Sequence, residues 1–245
     1  MKFRKSSLKR KKPTSKFKGK YIIYVEGENT EVSYLNLLKR NNCKIEPIPK
    51  KGHGISSCVD FVDTSIKAYN SLPAIEKKKY KQKWLVFDND GHADFANAIK
   101  KARNSGFHVA FSNMCIEYWF LLHFINHDGT SIPMTGNSHS QTQITMLNSA
   151  IAKYNKTVNE NAKVSLYDSG SKQITEDLYE LMLAINPVTQ KRRIIDASER
   201  AKQIHLTKKA NGGEFQESVT TIYELLNELG VIEEKNGQYE LYVYK

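Results

Sequence analysis

Two short apolar segments of this chain end on acidic side chains. The first runs over residues 21–25 and is followed by Glu26, and the second runs over residues 84–87 and is followed by Asp88 and Asp90. In an open α/β sheet, side chains that follow parallel strands gather at the carboxyl edge of the sheet, however far apart they are in sequence. Gathered carboxylates repel one another unless a cation neutralises them, and Mg²⁺ is a hard cation that takes such oxygen ligands. We therefore expect these three acids to form a metal site.

A fourth acid can reach the same edge. Glu117 comes soon after the predicted strand 107–111 and lies in the first turn of the next helix. Mg²⁺ held by one or two carboxylates keeps several waters, so it can orient a phosphodiester and lower the pKa of an attacking water. Single acids beside strand ends also cap helices or pair with lysines, and from the residues alone that role fits Glu31 and Asp94 better. Four carboxylates can therefore reach one edge of the sheet.

The segments that must position these acids alternate between strand and helix. Four strands are predicted, over residues 21–25, 45–48, 84–87 and 107–111. The segments between them space their apolar residues like helices, and consecutive parallel strands need such a crossover. The alternation predicts an α/β fold in which a parallel sheet is flanked by helices. If the third strand extends through Asn89, then Asp88 and Asp90 point to the same side of the sheet.

The remainder of the chain is predicted to be mainly helical. Helices are expected over residues 115–125, 144–154, 174–185, 188–205 and 215–229, with a polar loop over 126–141. Residues 231–235 and 238–244 are expected to form a terminal β-hairpin around Asn236-Gly237, a pair that favours a type I′ turn. We therefore divide the chain into a disordered basic arm over 1–20, a catalytic domain over 21–125, and a mainly helical accessory region over 126–245.

The positive charge of the chain is concentrated at its start. The formal net charge is +11, and residues 1–20 carry ten lysines or arginines and no acid, so the remainder is nearly neutral. A second basic run precedes the strand at 84–87. Such runs bind nucleic acid through counterion release, without reading its sequence, although a solubility tail explains the arm equally well. The residues that we expect to contact nucleic acid are Lys9, Arg10, Lys11, Lys12, Lys78 and Lys79.

The sequence has no feature of a membrane or secreted protein. Its longest apolar stretch, 116–125, is much shorter than the roughly 20 residues that a bilayer span requires. The cysteines are Cys43, Cys58 and Cys115, an odd number without C-x-x-C spacing. We expect a cytoplasmic protein without a membrane partner.

Three other kinds of site have weaker support. Asp88-Asn-Asp90-Gly91 is similar to the nucleophile loop of haloacid-dehalogenase-type phosphatases, but those enzymes carry it on their first strand, and here it follows the third. His123 and His127 are four residues apart and could share a helix face, although no H-E-x-x-H frame surrounds them. No G-x-x-x-x-G-K-[ST] loop occurs, so any ATP that is used must come through a partner.

Several motifs, taken in order, resemble a known family. A strand ending at Glu26, followed later by Asp88-x-Asp90, resembles the Toprim catalytic domain of topoisomerases, primases and overcoming-lysogenization-defect nucleases. More specifically, the chain resembles the RloB-like family, which includes the second component of the AbiL abortive-infection system. The features that carry this resemblance are the basic arm and residues 25–31, 87–90 and 112–124. The resemblance covers most of the chain and fades after about residue 229.

The resemblance implies a Toprim nuclease of bacterial antiphage defence that uses Mg²⁺ or Mn²⁺. Its substrate would be RNA, such as tRNA, or DNA, and an ATP-binding defence partner is often encoded beside it. Carried over by position, Glu26 is a metal ligand or general base, and Asp88 and Asp90 are metal ligands. Glu31 and Glu117 become candidates for holding a second ion or for positioning water.

The resemblance also suggests supporting residues. Lys202 would stabilise phosphate charge, and Asn113 would hydrogen-bond a ligand carboxylate. The sequence departs from the family at Met114, where proline is common, and at Asn89, where lysine is common. A non-catalytic adaptor that binds nucleic acid through its basic arm stays open as an alternative function.

Overall fold

Five strands form one mostly parallel sheet. A computed structural model describes residues 19–38, 43–48, 56–133 and 140–241. The strand order is β2-β1-β3-β4-β5, in which β1 to β4 run parallel and β5 is antiparallel to β4. The strands are β1 (Lys20–Val25), β2 (Cys43–Pro47), β3 (Tyr80–Asp88), β4 (His108–Asn113) and β5 (Val219–Thr220). The predicted parallel α/β sheet is confirmed.

Helices cover both faces of this sheet. They are α1 (Thr30–Leu37), α2 (Cys58–Ser71), α3 (Ala74–Lys77), α4 (Phe95–Asn104), α5 (Glu117–Leu121), α6 (Gln141–Asn155), α7 (Glu176–Leu183), α8 (Arg193–Ala210) and α9 (Ile222–Glu228). None of the helices in the described parts of the chain is long and apolar enough to cross a lipid bilayer. None of the three cysteines forms a disulfide bond.

Alternate side chains of β1 enter two different hydrophobic clusters, as the two-residue period of a strand requires. Ile22 and Tyr24 pack with α2 and α4 on one face, whereas Tyr21, Ile23 and Val25 pack with α5 to α9 on the other. Burial on both faces explains why β1 is a continuous apolar run. The helices of the accessory region thus share a core with the sheet, and the division at residue 125 stays a prediction.

The terminal hairpin is confirmed. Strands β6 (Ile232–Lys235) and β7 (Gln238–Leu241) pair antiparallel around Asn236 and Gly237. These two residues have φ values of 52° and 82°, the left-handed conformation that both central positions of a type I′ turn require.

Three predicted helices were wrong in extent. The segment predicted as a helix over 215–229 contains β5, and its helix begins only at Ile222 because the preceding residues pair with β4. The helix predicted from 188 begins at Arg193, after a turn closed by a 2.7 Å bond from the Asn186 N–H to the Lys191 carbonyl. The apolar helix predicted over 115–125 is only the five-residue α5.

The third strand also differs from its prediction. It begins at Tyr80 rather than Trp84 because parallel pairing with β1 extends back to Lys20. It ends at Asp88, and Asp90 has a φ of 47°, which belongs to a turn. The strand therefore does not continue through Asn89, and Asp90 reaches its position by a turn instead.

Candidate functional site

A cavity of about 290 Å³ opens at the carboxyl edge of the sheet. Its lining comes from the ends of β1 and β3, the starts of α1 and α5, and two segments of the accessory region. The lining residues are Glu26, Gly27, Glu28, Asn29, Thr30, Glu31, Asp88, Asp90, Cys115, Ile116, Glu117, Ser140 and Lys172. All five predicted acids therefore line one cavity, and Glu28 joins them.

The turn after β1 brings the chain backbone close to the carboxylate of Glu31. The backbone N–H of Glu26 donates to the Val86 carbonyl at 3.1 Å, which holds the end of β1 beside β3. At Gly27, an added Cβ would lie only 1.9 Å from Oε2 of Glu31. Only glycine lets the backbone approach a carboxylate this closely, so Gly27 fixes where Glu31 can lie.

Backbone hydrogen bonds hold the acids that follow β3. Oδ2 of Asp88 accepts a 2.8 Å hydrogen bond from the N–H of Ile116, the residue before α5. The N–H of Asp90 donates to the Met114 carbonyl at 3.2 Å. These bonds tie the turn after β3 to the segment between β4 and α5, so Asp88 and Asp90 lie beside the start of α5.

A tyrosine of the accessory region holds the acid at the start of α5. The hydroxyl of Tyr167 donates to Oε1 of Glu117 at 2.9 Å and lies 3.3 Å from Oγ1 of Thr30. Two bonds to the Asn148 side chain fix the backbone of Tyr167, one from its N–H at 2.8 Å and one to its carbonyl at 2.9 Å. The accessory region therefore closes one side of the acidic cavity.

Burial and mutual repulsion raise the pKa of two of the acids. Burial raises the pKa of Glu31 to about 7, and neighbouring carboxylates, Glu117 first, add to this rise. Burial also raises the pKa of Asp88 well above its usual range, and the charges of Glu31 and Asp90 act in the same direction. A cation in the cavity would relieve this repulsion and favour the ionised carboxylates.

The acids provide oxygen ligands for a divalent metal, although they do not form a complete coordination shell. Among the residues that the structure describes, no three acidic, histidine or cysteine side chains form a metal-coordinating group. Mg²⁺ commonly takes only one or two carboxylates and keeps several waters, so its binding does not need such a group. Glu26 and Asp88, each at the end of a parallel strand, are the acids of this cavity best placed to hold such an ion.

Lys172 also lines the cavity, and it was not among the predicted site residues. It lies in a turn of the accessory region in which its N–H donates to the Asp168 carbonyl at 2.9 Å. Its φ of 53° is unusual for a residue with a side chain. Among the described lining residues it is the one cation, so it is suited to contact a phosphate. No motif around Lys172 or Tyr167 signals this position.

Lys202 and Asn113 lie outside the cavity lining. Nζ of Lys202 is 2.6 Å from Oε1 of Glu234 and 5.3 Å from the centre of the Tyr239 ring. Asn113 donates to the Phe215 carbonyl at 2.7 Å and accepts a 3.1 Å hydrogen bond from the Asn89 side chain. Asn113 thus contacts the turn that carries Asp90, whereas Lys202 pairs with the hairpin.

Of the basic residues predicted to contact nucleic acid, those that the structure describes lie far from the acids. Lys78 and Lys79 precede β3, and the nine residues of this strand span about 26 Å before Asp88. Lys79 forms an ion pair with Glu76. The other four residues, Lys9, Arg10, Lys11 and Lys12, lie outside the described residues. Nucleic-acid binding by these residues stays a prediction.

The histidine pair does not converge on a common site. His123 is fully buried and its Nδ1 donates to the Trp119 carbonyl at 3.0 Å, and burial lowers its pKa to about 3. Nδ1 of His127 instead lies 2.9 Å from the Tyr118 hydroxyl. The two imidazoles therefore have separate structural partners.

Comparison with known protein families gives a match that covers most of the chain. The model of a protein family described as RloB-like protein matches residues 21–229. This range holds the whole carboxylate cavity and, apart from Lys20, all five strands of the sheet. No curated protein and no solved structure matches the chain.

Proposed function

The chain belongs to the RloB-like protein family, and we propose that it is a divalent-metal-dependent endonuclease that cleaves RNA, such as tRNA, or DNA. The observation that carries this proposal is the cavity in which acids from the ends of β1 and β3 meet Glu117 and Lys172. Carboxylates with raised pKa beside a single lysine suit the binding of a metal ion and a phosphodiester.

Each group of the cavity has a role in this proposal. Glu26, Asp88 and Asp90 would hold Mg²⁺ or Mn²⁺. The ion would neutralise negative charge on the phosphate and lower the pKa of an attacking water. Glu31 lines the same cavity and would accept the proton of that water. Lys172 contacts a phosphate oxygen and balances part of its charge.

Tyr167 is a positioning residue in this scheme. Its hydroxyl holds Glu117 through the 2.9 Å hydrogen bond, so Glu117 faces the cavity in one orientation. Glu117 then either positions the attacking water or takes part in holding a second ion.

The biological setting follows from the family resemblance. We propose a cytoplasmic role in bacterial antiphage defence, together with an ATP-binding partner that controls cleavage. The chain has no phosphate-binding loop of its own, so ATP would act through that partner.

A cleavage assay tests the proposed activity. The purified protein, with and without the neighbouring gene product, is incubated with total RNA and plasmid DNA in Mg²⁺ or Mn²⁺, and the cut ends are sequenced. We expect Glu26→Ala with Asp88→Ala to abolish cleavage and phage protection while the protein still folds. The control pair Glu160→Ala with Glu180→Ala removes two exposed acids outside the cavity and should cleave normally. Unchanged cleavage by the first double variant contradicts the proposal.

A nucleic-acid-binding adaptor is the second candidate. It is favoured by the position of Lys78 and Lys79 at the edge of the sheet opposite the acids. An adaptor binds RNA or DNA equally well in EDTA and in Mg²⁺, and it cleaves neither. A phosphatase, by contrast, hydrolyses p-nitrophenyl phosphate without needing residues 1–20. These two assays separate the three functions.

A further inference from the structure

A second cavity, of about 560 Å³, lies on the helical side of the molecule. Its walls are the segment after α5, one side of α6, and the turn before α8. The described residues that line it are Phe124, Ile125, Thr145, Met146, Ser149, Ala150, Lys153, Tyr154, Thr157, Asn186, Pro187 and Arg193. It is larger than the carboxylate cavity, and its volume is typical of small-molecule sites.

The lining combines an apolar wall with positive charge. Phe124, Ile125, Met146 and Ala150 supply the apolar surface, and none of the described lining residues is an acid. The hydroxyls of Thr145, Ser149 and Thr157 donate to backbone carbonyls at 2.7–2.9 Å: Thr145 to Gln141, Ser149 to Thr145 and Thr157 to Tyr154. The charged donors left for a ligand are Lys153 at the exposed rim and Arg193.

Arg193 is buried beside the apolar wall. Its exposed fraction is 8%, and its Nη1 donates to the Ile185 carbonyl at 3.0 Å. The guanidinium carbon is 5.9 Å from the ring centre of Phe124 and 5.7 Å from that of Tyr154. Two aromatic rings therefore pack against the guanidinium. The guanidinium has five N–H donors, and one hydrogen-bond acceptor for them is found among the described residues.

The nearest acid does not neutralise this charge by an ion pair. Oδ2 of Asp196 accepts hydrogen bonds from Asn186 at 2.6 Å and from Thr189 at 2.8 Å, and it lies 3.9 Å from Arg200. Within the described parts of the chain, Arg193 forms no ion pair of its own. Burial lowers the pKa of Arg193, which reflects the cost of keeping its charge away from water.

We propose that this cavity binds a small amphipathic anion, in which an apolar or aromatic body carries one carboxylate, sulfonate or phosphate group. The body packs against Phe124 and Met146, and the anionic group accepts two hydrogen bonds from the Arg193 fork. The anion offsets the cost of the buried guanidinium, and Lys153 attracts it at the rim. This site is independent of the proposed nuclease activity.

A pair of fluorescent dyes tests the proposal on the full chain. 8-Anilinonaphthalene-1-sulfonate is an aromatic anion, and N-phenyl-1-naphthylamine has the same rings without the sulfonate. We expect the wild type to bind one equivalent of each dye. Arg193→Met removes the charge and should weaken sulfonate binding at least about tenfold, while the affinity for the neutral dye stays within about twofold. Lys156→Met, an exposed change outside the lining, should alter neither affinity.

A second variant covers the case in which Arg193→Met disturbs the turn before α8. Ala150→Phe fills the cavity from α6 and leaves Arg193 in place, so both dyes should lose their site while the circular dichroism spectrum is unchanged. Sulfonate binding that survives Arg193→Met, or dye binding that survives Ala150→Phe, overturns the proposal.

Competition identifies the anionic group. Decanoate and AMP are titrated against the bound sulfonate dye in the wild type. Displacement by decanoate supports a carboxylate ligand, and displacement by AMP supports a phosphate ligand. Failure of both to displace the dye contradicts a site for small amphipathic anions.

Discussion

The hydroxyl of Tyr167 donates a 2.9 Å hydrogen bond to Oε1 of Glu117, across 50 residues of sequence. Tyr167 belongs to the accessory region, and Glu117 opens α5 at the carboxyl edge of the sheet. Both side chains are buried, so the bond is shielded from water and fixes the carboxylate. The accessory region is thereby part of the site and not only a cover for the sheet.

Tyr167→Phe removes this hydroxyl and keeps the ring. Because hydrogen bonds to charged groups contribute about 1.5–3 kcal/mol, we expect kcat of the nuclease to fall by about tenfold or more, with KM nearly unchanged. The control is Tyr154→Phe, which removes a hydroxyl outside the acidic cavity. Steady-state cleavage of a labelled oligonucleotide measures both constants. Equal kcat values for Tyr167→Phe and the wild type would show that Tyr167 does not position Glu117 for catalysis.

Gly27→Ala displaces the Glu31 carboxylate, because the added Cβ would lie 1.9 Å from its Oε2. We expect Mn²⁺ affinity and cleavage to fall at least about tenfold, while far-UV circular dichroism stays that of the wild type. At Gly212, which lies outside the cavity lining, an added Cβ meets nothing within 4 Å, so Gly212→Ala is the control. Wild-type Mn²⁺ affinity in Gly27→Ala would contradict the role given to this glycine.

Glu31 gives the metal-free protein a defined pH dependence. Its pKa is raised to about 7 in the folded state from the usual 4.5, so between these values the folded protein holds a proton that the unfolded chain releases. Its contribution to stability is fully present below about pH 4.5 and is lost as the pH rises through about 7. The raised pKa of Asp88 acts in the same direction.

We therefore expect the melting temperature of the metal-free wild type to fall between pH 5 and pH 8, and Glu31→Gln to reduce this fall. Mg²⁺ should raise the melting temperature of the wild type more at pH 8 than at pH 5. Thermal melts in EDTA and in Mg²⁺ measure both effects. If Glu31→Gln had the same pH dependence as the wild type, the pKa of Glu31 would not be raised by burial and by the neighbouring carboxylates.

Lys172→Ala removes the cation of the cavity lining. We expect kcat/KM for cleavage to fall about tenfold or more, and Lys172→Arg to recover part of the loss because it keeps the charge. Lys163→Ala is the control, since that lysine is half exposed and pairs with Glu160 away from the cavity. Metal affinity should not fall in Lys172→Ala, because removing a positive charge does not disfavour a cation. An unchanged kcat/KM would rule out contact between Lys172 and the scissile phosphate.

The sheet and its acids could be predicted because both depend on local patterns. The runs that became β1 and β3 are apolar because they are buried on both faces, and the acids that follow them had to lie at the carboxyl edge. Glu117 was reached by the same argument, since it follows β4 and starts a helix. The Asn236-Gly237 hairpin was predictable because few residues accept left-handed φ values at both turn positions.

The features that could not be predicted from the sequence depend on contacts between distant segments. Strand β5 has only two residues and forms because it pairs with the edge of β4, so it leaves no periodic signal in the sequence. Tyr167 and Lys172 reach the acids through a non-helical segment that Asn148 and Asp168 hold in place. Lys202 had suitable chemistry, but its helix faces the hairpin, where Glu234 pairs with it.

We propose that the acids at the ends of β1 and β3 bind the metal that drives cleavage. The most direct test is the cleavage rate of RNA and plasmid DNA, measured as Mn²⁺ is titrated into the metal-free wild type and into Glu26→Gln with Asp88→Asn. These substitutions remove charge but keep the size of the side chains. We predict saturable activation of the wild type and no activation of the double variant at any Mn²⁺ concentration. Activation of the double variant with the wild-type midpoint and maximal rate would contradict it.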